Sequence, residues 1–170
     1  ILLLPQALGR KLWFETGEGP RLNPIIGRKD VDNLQNIDVM NDFLENIYET
    51  VRMVRSELSE ETTLIGFAGA PWTLITYMAE GGTSRDFPKA RQWAWQDRQA
   101  LDGLLDILID ATISFFSLQA KSGAQTLMLF DSWASAVPAA QRDWLVTKPA
   151  RAIVEGVRVG GATVLIEDSH

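Results

Sequence analysis

The sequence predicts an α/β fold built on parallel strands, and two observations carry that prediction. Four short apolar runs, residues 1–4, 64–68, 126–130 and 163–166, have the length and composition of buried strands. Stretches of apolar residues at helical spacing separate the last three, and strand–helix alternation is the mark of this class. Because the runs are unbroken rather than alternating, the strands should be covered on both faces, as in a parallel sheet.

Taken in order, Ile1-Leu2-Leu3-Leu4 is expected to be the first strand. Residues 13–28 read as an excursion, a hairpin or loop, because Gly17, Gly19, Pro20 and Pro24 punctuate a segment with few apolar positions. Met40, Phe43, Leu44, Ile47, Tyr48, Val51 and Val54 share one face at a 3.6-residue period and predict a helix. After the strand at 64–68, Gly69 and Pro71 allow a sharp turn into a helix that carries Tyr77. Gly81-Gly82-Thr83-Ser84 is a flexible connection; it lacks the lysine and preceding strand of a phosphate loop. Leu101, Leu104, Leu105, Leu108, Ile109, Thr112 and Phe116 predict a longer helix, ending near Ser122-Gly123, where glycine supplies a left-handed cap. The strand at 126–130 leads into Asp131-Ser132-Trp133. A third helix runs from about Pro149 to Arg158, with proline in its first turn, and stops at Gly160-Gly161 before the last strand and Glu167-Asp168.

Composition narrows the function. The net charge is −6, which disfavours nucleic acid as a partner, since a basic face is the expected footprint there. No apolar run approaches the roughly 20 residues that span a bilayer, so no membrane association is expected. The opening leucines lack a basic flank and run into Pro5, unlike a signal peptide. With no cysteine and one histidine, His170, disulfides are excluded and a metal would have only carboxylates to bind. Ser132 has no histidine base except His170, which argues against a serine hydrolase. The tryptophans, Trp72, Trp93, Trp95, Trp133 and Trp144 among them, read as packing residues.

In parallel α/β folds functional groups gather beyond the C-terminal ends of strands. Three such places occur: Gly69-Ala70-Pro71-Trp72-Thr73, Asp131-Ser132-Trp133 and Glu167-Asp168. About four strands allow either a small open sheet or part of an eight-stranded barrel, which needs roughly 250 residues. The chain starts inside an apparent strand and ends just past another, so it is expected to be a fragment.

The stretch 64–82, LIGFAGAPWTLITYMAEGG, closely resembles a signature segment of uroporphyrinogen decarboxylases. Pro5-Gln6-Ala7-Leu8-Gly9, the segment 14–22 with Gly17-Glu18-Gly19-Pro20, and Leu129-Phe130-Asp131-Ser132-Trp133-Ala134 resemble further family segments in the same order. The likeness weakens after about Pro138. It implies a partial (β/α)8 TIM barrel: residues 1–170 would form one partial domain, the central part, holding about four of the strands. The family is cytoplasmic and usually homodimeric, and uses no cofactor. It converts uroporphyrinogen III to coproporphyrinogen III by removing CO2 from four acetate side chains. Protonation of a pyrrole carbon makes the ring an electron sink; CO2 then leaves and a proton replaces it.

Carried onto this sequence, the resemblance gives Tyr77 and Ser132 as hydroxyl contacts to the substrate and Phe67 as an aromatic against the tetrapyrrole. No catalytic residue is expected within the chain. The family's arginine-rich loop lies upstream, its aspartate would immediately precede Ile1, and its histidine lies beyond His170. The segment alone is therefore expected to be inactive, and the acidic balance is explained if the missing part supplies the cations. Ser135 departs from the family by replacing a glycine and could crowd its turn. Two alternatives are a methyltransferase of the same barrel superfamily and a degenerate half-barrel kept for binding or assembly.

Overall fold

The computed structural model describes residues 1–17 and 19–158, and the backbone of residues 163–168. Two sheets are present among them. Strands β1 (Leu12–Glu15) and β2 (Gly19–Leu22) form an antiparallel hairpin. Strands β3 (Ile65–Gly69), β4 (Thr126–Asp131) and β5 (Thr163–Asp168) form a parallel sheet in the order β3-β4-β5. The hairpin confirms the excursion read from the glycines and prolines at 13–28, except that Arg28 opens a short helix, α2 (Arg28–Asp32). Glu18, Gly160-Gly161 and His170 lie outside the described residues, as do the side chains of Glu167 and Asp168.

The expected strand at residues 1–4 is instead the start of a helix, α1 (Leu3–Ala7). Leu4, Ala7 and Leu8 are buried, an i, i+3, i+4 pattern that a strand could not bury together. Pro5 is tolerated because it falls in the first turn, where the N–H it lacks would have no partner within the helix. The parallel sheet therefore holds three strands among the described residues, not four.

Helices α3 (Ile37–Glu57) and α6 (Arg98–Lys121) form as their periodicity predicts. Asn36 caps the first, accepting from the Val39 N–H at 3.0 Å, and Asp97 caps the second through the Ala100 N–H at 3.0 Å. Helix α6 ends at Ser122, and Gly123 follows with φ +115°, a backbone angle that side chains resist. Helix α7 (Lys148–Arg158) continues from a π-helical turn at Asp143–Thr147. Between β3 and α6 lie two helices, α4 (Pro71–Glu80) and α5 (Pro88–Gln96).

The sheet does not have both faces covered within the described residues. Leu127, Leu129 and Ala68 are buried, while Ile65 and Phe67 are each about half exposed. Strand partners Phe67 and Met128 share the open face, as do Ile65 and Thr126. The apolar runs were unbroken because both faces carry apolar residues, although only one is packed. Among the described residues no helix is long and apolar enough to cross a membrane.

The contact between α3 and α6 contains a pH-sensitive group. Tyr48 is 1% exposed, donates to Asn41 Oδ1 at 3.2 Å and packs near the Phe115 ring. Burial, and then the Glu45 carboxylate, disfavours the phenolate and raises the pKa from 10.0 to about 12. The unfolded chain would ionise this phenol near pH 10, whereas the folded chain holds the proton to about 12. Its stabilising contribution is therefore complete below pH 10 and is lost as pH climbs to about 12. In alkaline denaturation, Tyr48→Phe should flatten the stability curve across that window. An unaltered slope would mean that the phenol ionises freely in the folded protein.

Candidate functional site

The C-terminal ends of β3 and β4 lie side by side, because the strands pair in register as far as Gly69 and Phe130. The pairing runs one residue further, with the Ala70 N–H donating to the Phe130 carbonyl at 2.7 Å. Pro71 then occupies the first position of α4, where its fixed φ suits a helix start. Helix α4 ends at Gly81, in the left-handed conformation with φ +80°; a Cβ there would stand 3.1 Å from the Leu22 carbonyl oxygen. That close approach lets the hairpin seat on the helix end. The Leu22 N–H donates to the Gly81 carbonyl at 3.0 Å and the Ile25 N–H to the Met78 carbonyl at 2.8 Å.

Tyr77 lies on the last full turn of α4, partly buried. It lines a cavity of about 530 Å³ together with Leu2, Leu3, Leu12, Phe14 and Pro20. Phe67 is 49% exposed on the open sheet face, edge-on to Phe130 with ring centroids 5.9 Å apart. It lines a smaller hollow of about 140 Å³ with Ile65, Phe115 and Gln119. Ile1 and Leu3 line both hollows, so the two adjoin. Ser132, the first residue beyond β4, is partly buried and lines neither. Ser132 thus stands at the C-terminal end of β4, Phe67 within its neighbour β3 and Tyr77 at the far end of the helix that follows β3, and no one of these hollows holds all three.

What the sequence did not reveal is the set of contacts that joins α4 to the loop carrying Ser132. The Thr73 hydroxyl donates to Asp131 Oδ1 at 2.8 Å and accepts from the Trp133 N–H at 3.4 Å. The Trp72 indole N–H donates to the Trp133 carbonyl at 3.0 Å. Thr73 and Asp131 are buried, so these bonds are not exchanged freely with water. The Trp133 ring packs against Phe87, centroids 4.9 Å apart. Phe87 has φ +48°, which a bulky side chain adopts only when its surroundings impose it. Ser135 lies exposed in a 3-10 turn, and Phe87 is the only described non-glycine residue with positive φ. Ser135 therefore takes a backbone angle open to any residue and sits exposed to solvent, without the strain its place in the turn suggested.

Comparison with known proteins places these features in context. The family model for uroporphyrinogen decarboxylase matches residues 1–166. The uroporphyrinogen decarboxylase of Maricaulis maris is 47% identical over 166 residues, covering 98% of this chain and 48% of that protein. Those of Paracoccus denitrificans and Caulobacter vibrioides are each 46% identical, covering 93% and 98% of this chain and 46% of each relative. The chain spans about half the length of the curated relatives it matches. Among solved structures, a methyltransferase from Methanosarcina mazei superposes with a TM-score of 0.75 at 15% identity, covering 98% of this chain and 48% of that one. At that identity the likeness concerns the fold alone.

Proposed function

The chain belongs to the uroporphyrinogen decarboxylase family, and on that premise we propose that it forms part of an enzyme that decarboxylates uroporphyrinogen III to coproporphyrinogen III. One observation carries the reading beyond family membership. Ser132 follows β4 directly and α4, which bears Tyr77 in its last turn, starts just past β3, so both lead from the C-terminal ends of neighbouring parallel strands, where α/β enzymes assemble their sites, while Phe67 lies within β3. The sheet is then a section of a (β/α)8 barrel, residues 1–170 a part of one domain, and the open face bearing Ile65, Phe67 and Met128 its interior.

In this reading each acetate side chain loses CO2 from its CH2–COO⁻ group and gains a proton to become a methyl group. The Tyr77 and Ser132 hydroxyls donate to substrate carboxylates, which charged acceptors make stronger than ordinary hydrogen bonds. Phe67, exposed beside Phe130, offers an apolar surface to the macrocycle. The family's aspartate, on the resemblance, precedes Ile1. A Cβ on Gly69, at the end of β3, would stand 2.8 Å from Ile1 Cγ2, so that aspartate would enter at the same strand ends. Cytoplasmic location, homodimerisation and a reaction without cofactor are proposed with the family.

The test uses the full-length enzyme and follows coproporphyrinogen formation. Tyr77→Phe and Ser132→Ala should each lower kcat/KM by about 10- to 100-fold, the loss of one hydrogen bond to a charged group. If neither variant changes kcat/KM, these residues do not contact substrate. The 170-residue chain by itself is proposed to be inactive; CO2 release from it would refute that part alone.

A further inference from the structure

We propose that Thr73 is a positioning residue for Ser132, a role that rests on Ser132 being a substrate contact. Ser132 follows the last residue of β4 and precedes the 3-10 turn Ala134–Ala136, so no regular element sets the direction of its side chain. Besides any contact of its own, its direction depends on what holds the residues on either side. Both are held from the first turn of α4. The Thr73 hydroxyl donates to Asp131 Oδ1 at 2.8 Å and accepts from the Trp133 N–H at 3.4 Å, so one oxygen brackets Ser132. The Trp72 indole adds a third bond, to the Trp133 carbonyl at 3.0 Å.

Thr73 is 1% exposed and Asp131 3%, so water does not readily replace either bond. A hydroxyl is required because it donates and accepts through one atom. Valine would keep the shape and lose both bonds, whereas serine would keep both and lose a methyl group. Helix α4 also carries Tyr77, one turn after Thr73 on the same face. The first turn of α4 thereby ties the placement of Ser132 to the helix that bears the other hydroxyl.

The experiment measures KM and kcat for uroporphyrinogen in the full-length enzyme. Since Ser132 binds a substrate carboxylate in ground and transition states alike, its misplacement should act on KM. Thr73→Val is expected to raise KM about tenfold, as loss of a hydrogen bond to a charged group would, with kcat within about twofold. Thr73→Ser should restore it. In the Ser132→Ala background, Thr73→Val should add nothing further to KM. If Thr73→Val fails to fold, as read by its thermal melt, Thr73→Cys takes its place, keeping the volume with only a weak donor. An equal rise in KM with and without Ser132 would overturn the positioning role, while Ser132→Ala by itself would still report a substrate contact. An unchanged KM in Ser132→Ala alone would remove the substrate contact and the positioning role together.

Discussion

Trp72→Ala is expected to destabilise the protein by about 3–5 kcal/mol, the range for removing a large aromatic from a packed interior. Trp72 is 0% exposed, among the largest fully buried side chains, and stands on the first turn of α4. Two effects add. The truncation leaves a void that the surrounding helices cannot fully close, and the Trp133 carbonyl loses the indole N–H that reaches it at 3.0 Å. Trp72→Phe separates them, because it keeps most of the ring volume and removes only the donor; about 1–2 kcal/mol should be lost. Urea denaturation of the purified chain measures both, as a lower midpoint at unchanged slope. A loss below 1 kcal/mol for Trp72→Ala would show that the interior collapses around the gap or admits water.

That prediction depends on a contact between residues 61 positions apart, and the distance explains why part of the site escaped the sequence. Strands β3 and β4 were legible because short apolar runs bounded by glycine or aspartate have few other outcomes. Helices α3 and α6 were legible because their apolar residues recur at 3.6, and Gly123 marks the cap where α6 must stop. The segment at 1–4 misled because three consecutive leucines satisfy a strand or a buried helix equally; only the spacing of Leu4, Ala7 and Leu8 distinguishes them. Tyr77, Ser132 and Phe67 were reached through resemblance; Ser132 directly follows β4, Phe67 lies within β3 and Tyr77 lies on the last turn of α4. Thr73 was passed over inside the same matched segment. A buried threonine looks like any small packing residue until its partners, 58 and 60 positions away, are known.

The same limit applies to Gly66, whose replacement by alanine should cost about 2–5 kcal/mol, overpacking and lost hydrogen bonds together. A Cβ at Gly66 would stand 2.6 Å from Gln119 Oε1, 3.0 Å from Leu127 Cδ2 and 3.1 Å from the Ala124 Cβ. The closest of these contacts has the largest consequence. Strand β3 is an edge of the sheet among the described residues, and the Ala70 N–H turns toward β4. By alternation, the Phe67 peptide groups turn outward. Gln119, 3% exposed, meets them there: its Oε1 accepts from the Phe67 N–H at 3.1 Å and its Nε2 donates to the Phe67 carbonyl at 3.3 Å. A single carboxamide thus does for Phe67 what a neighbouring strand would do, and it reaches the backbone because Gly66 has no side chain in the way. Alanine at 66 must either displace Gln119, leaving Phe67 to find water, or strain the helix that carries it. If Gln119 is the obstacle, Gly66→Ala should cost markedly less in a Gln119→Ala background, with a coupling of at least about 1 kcal/mol in the double-mutant cycle. Additive losses would place the strain on Leu127 and Ala124 instead, and would deny Gln119 its part in closing the edge.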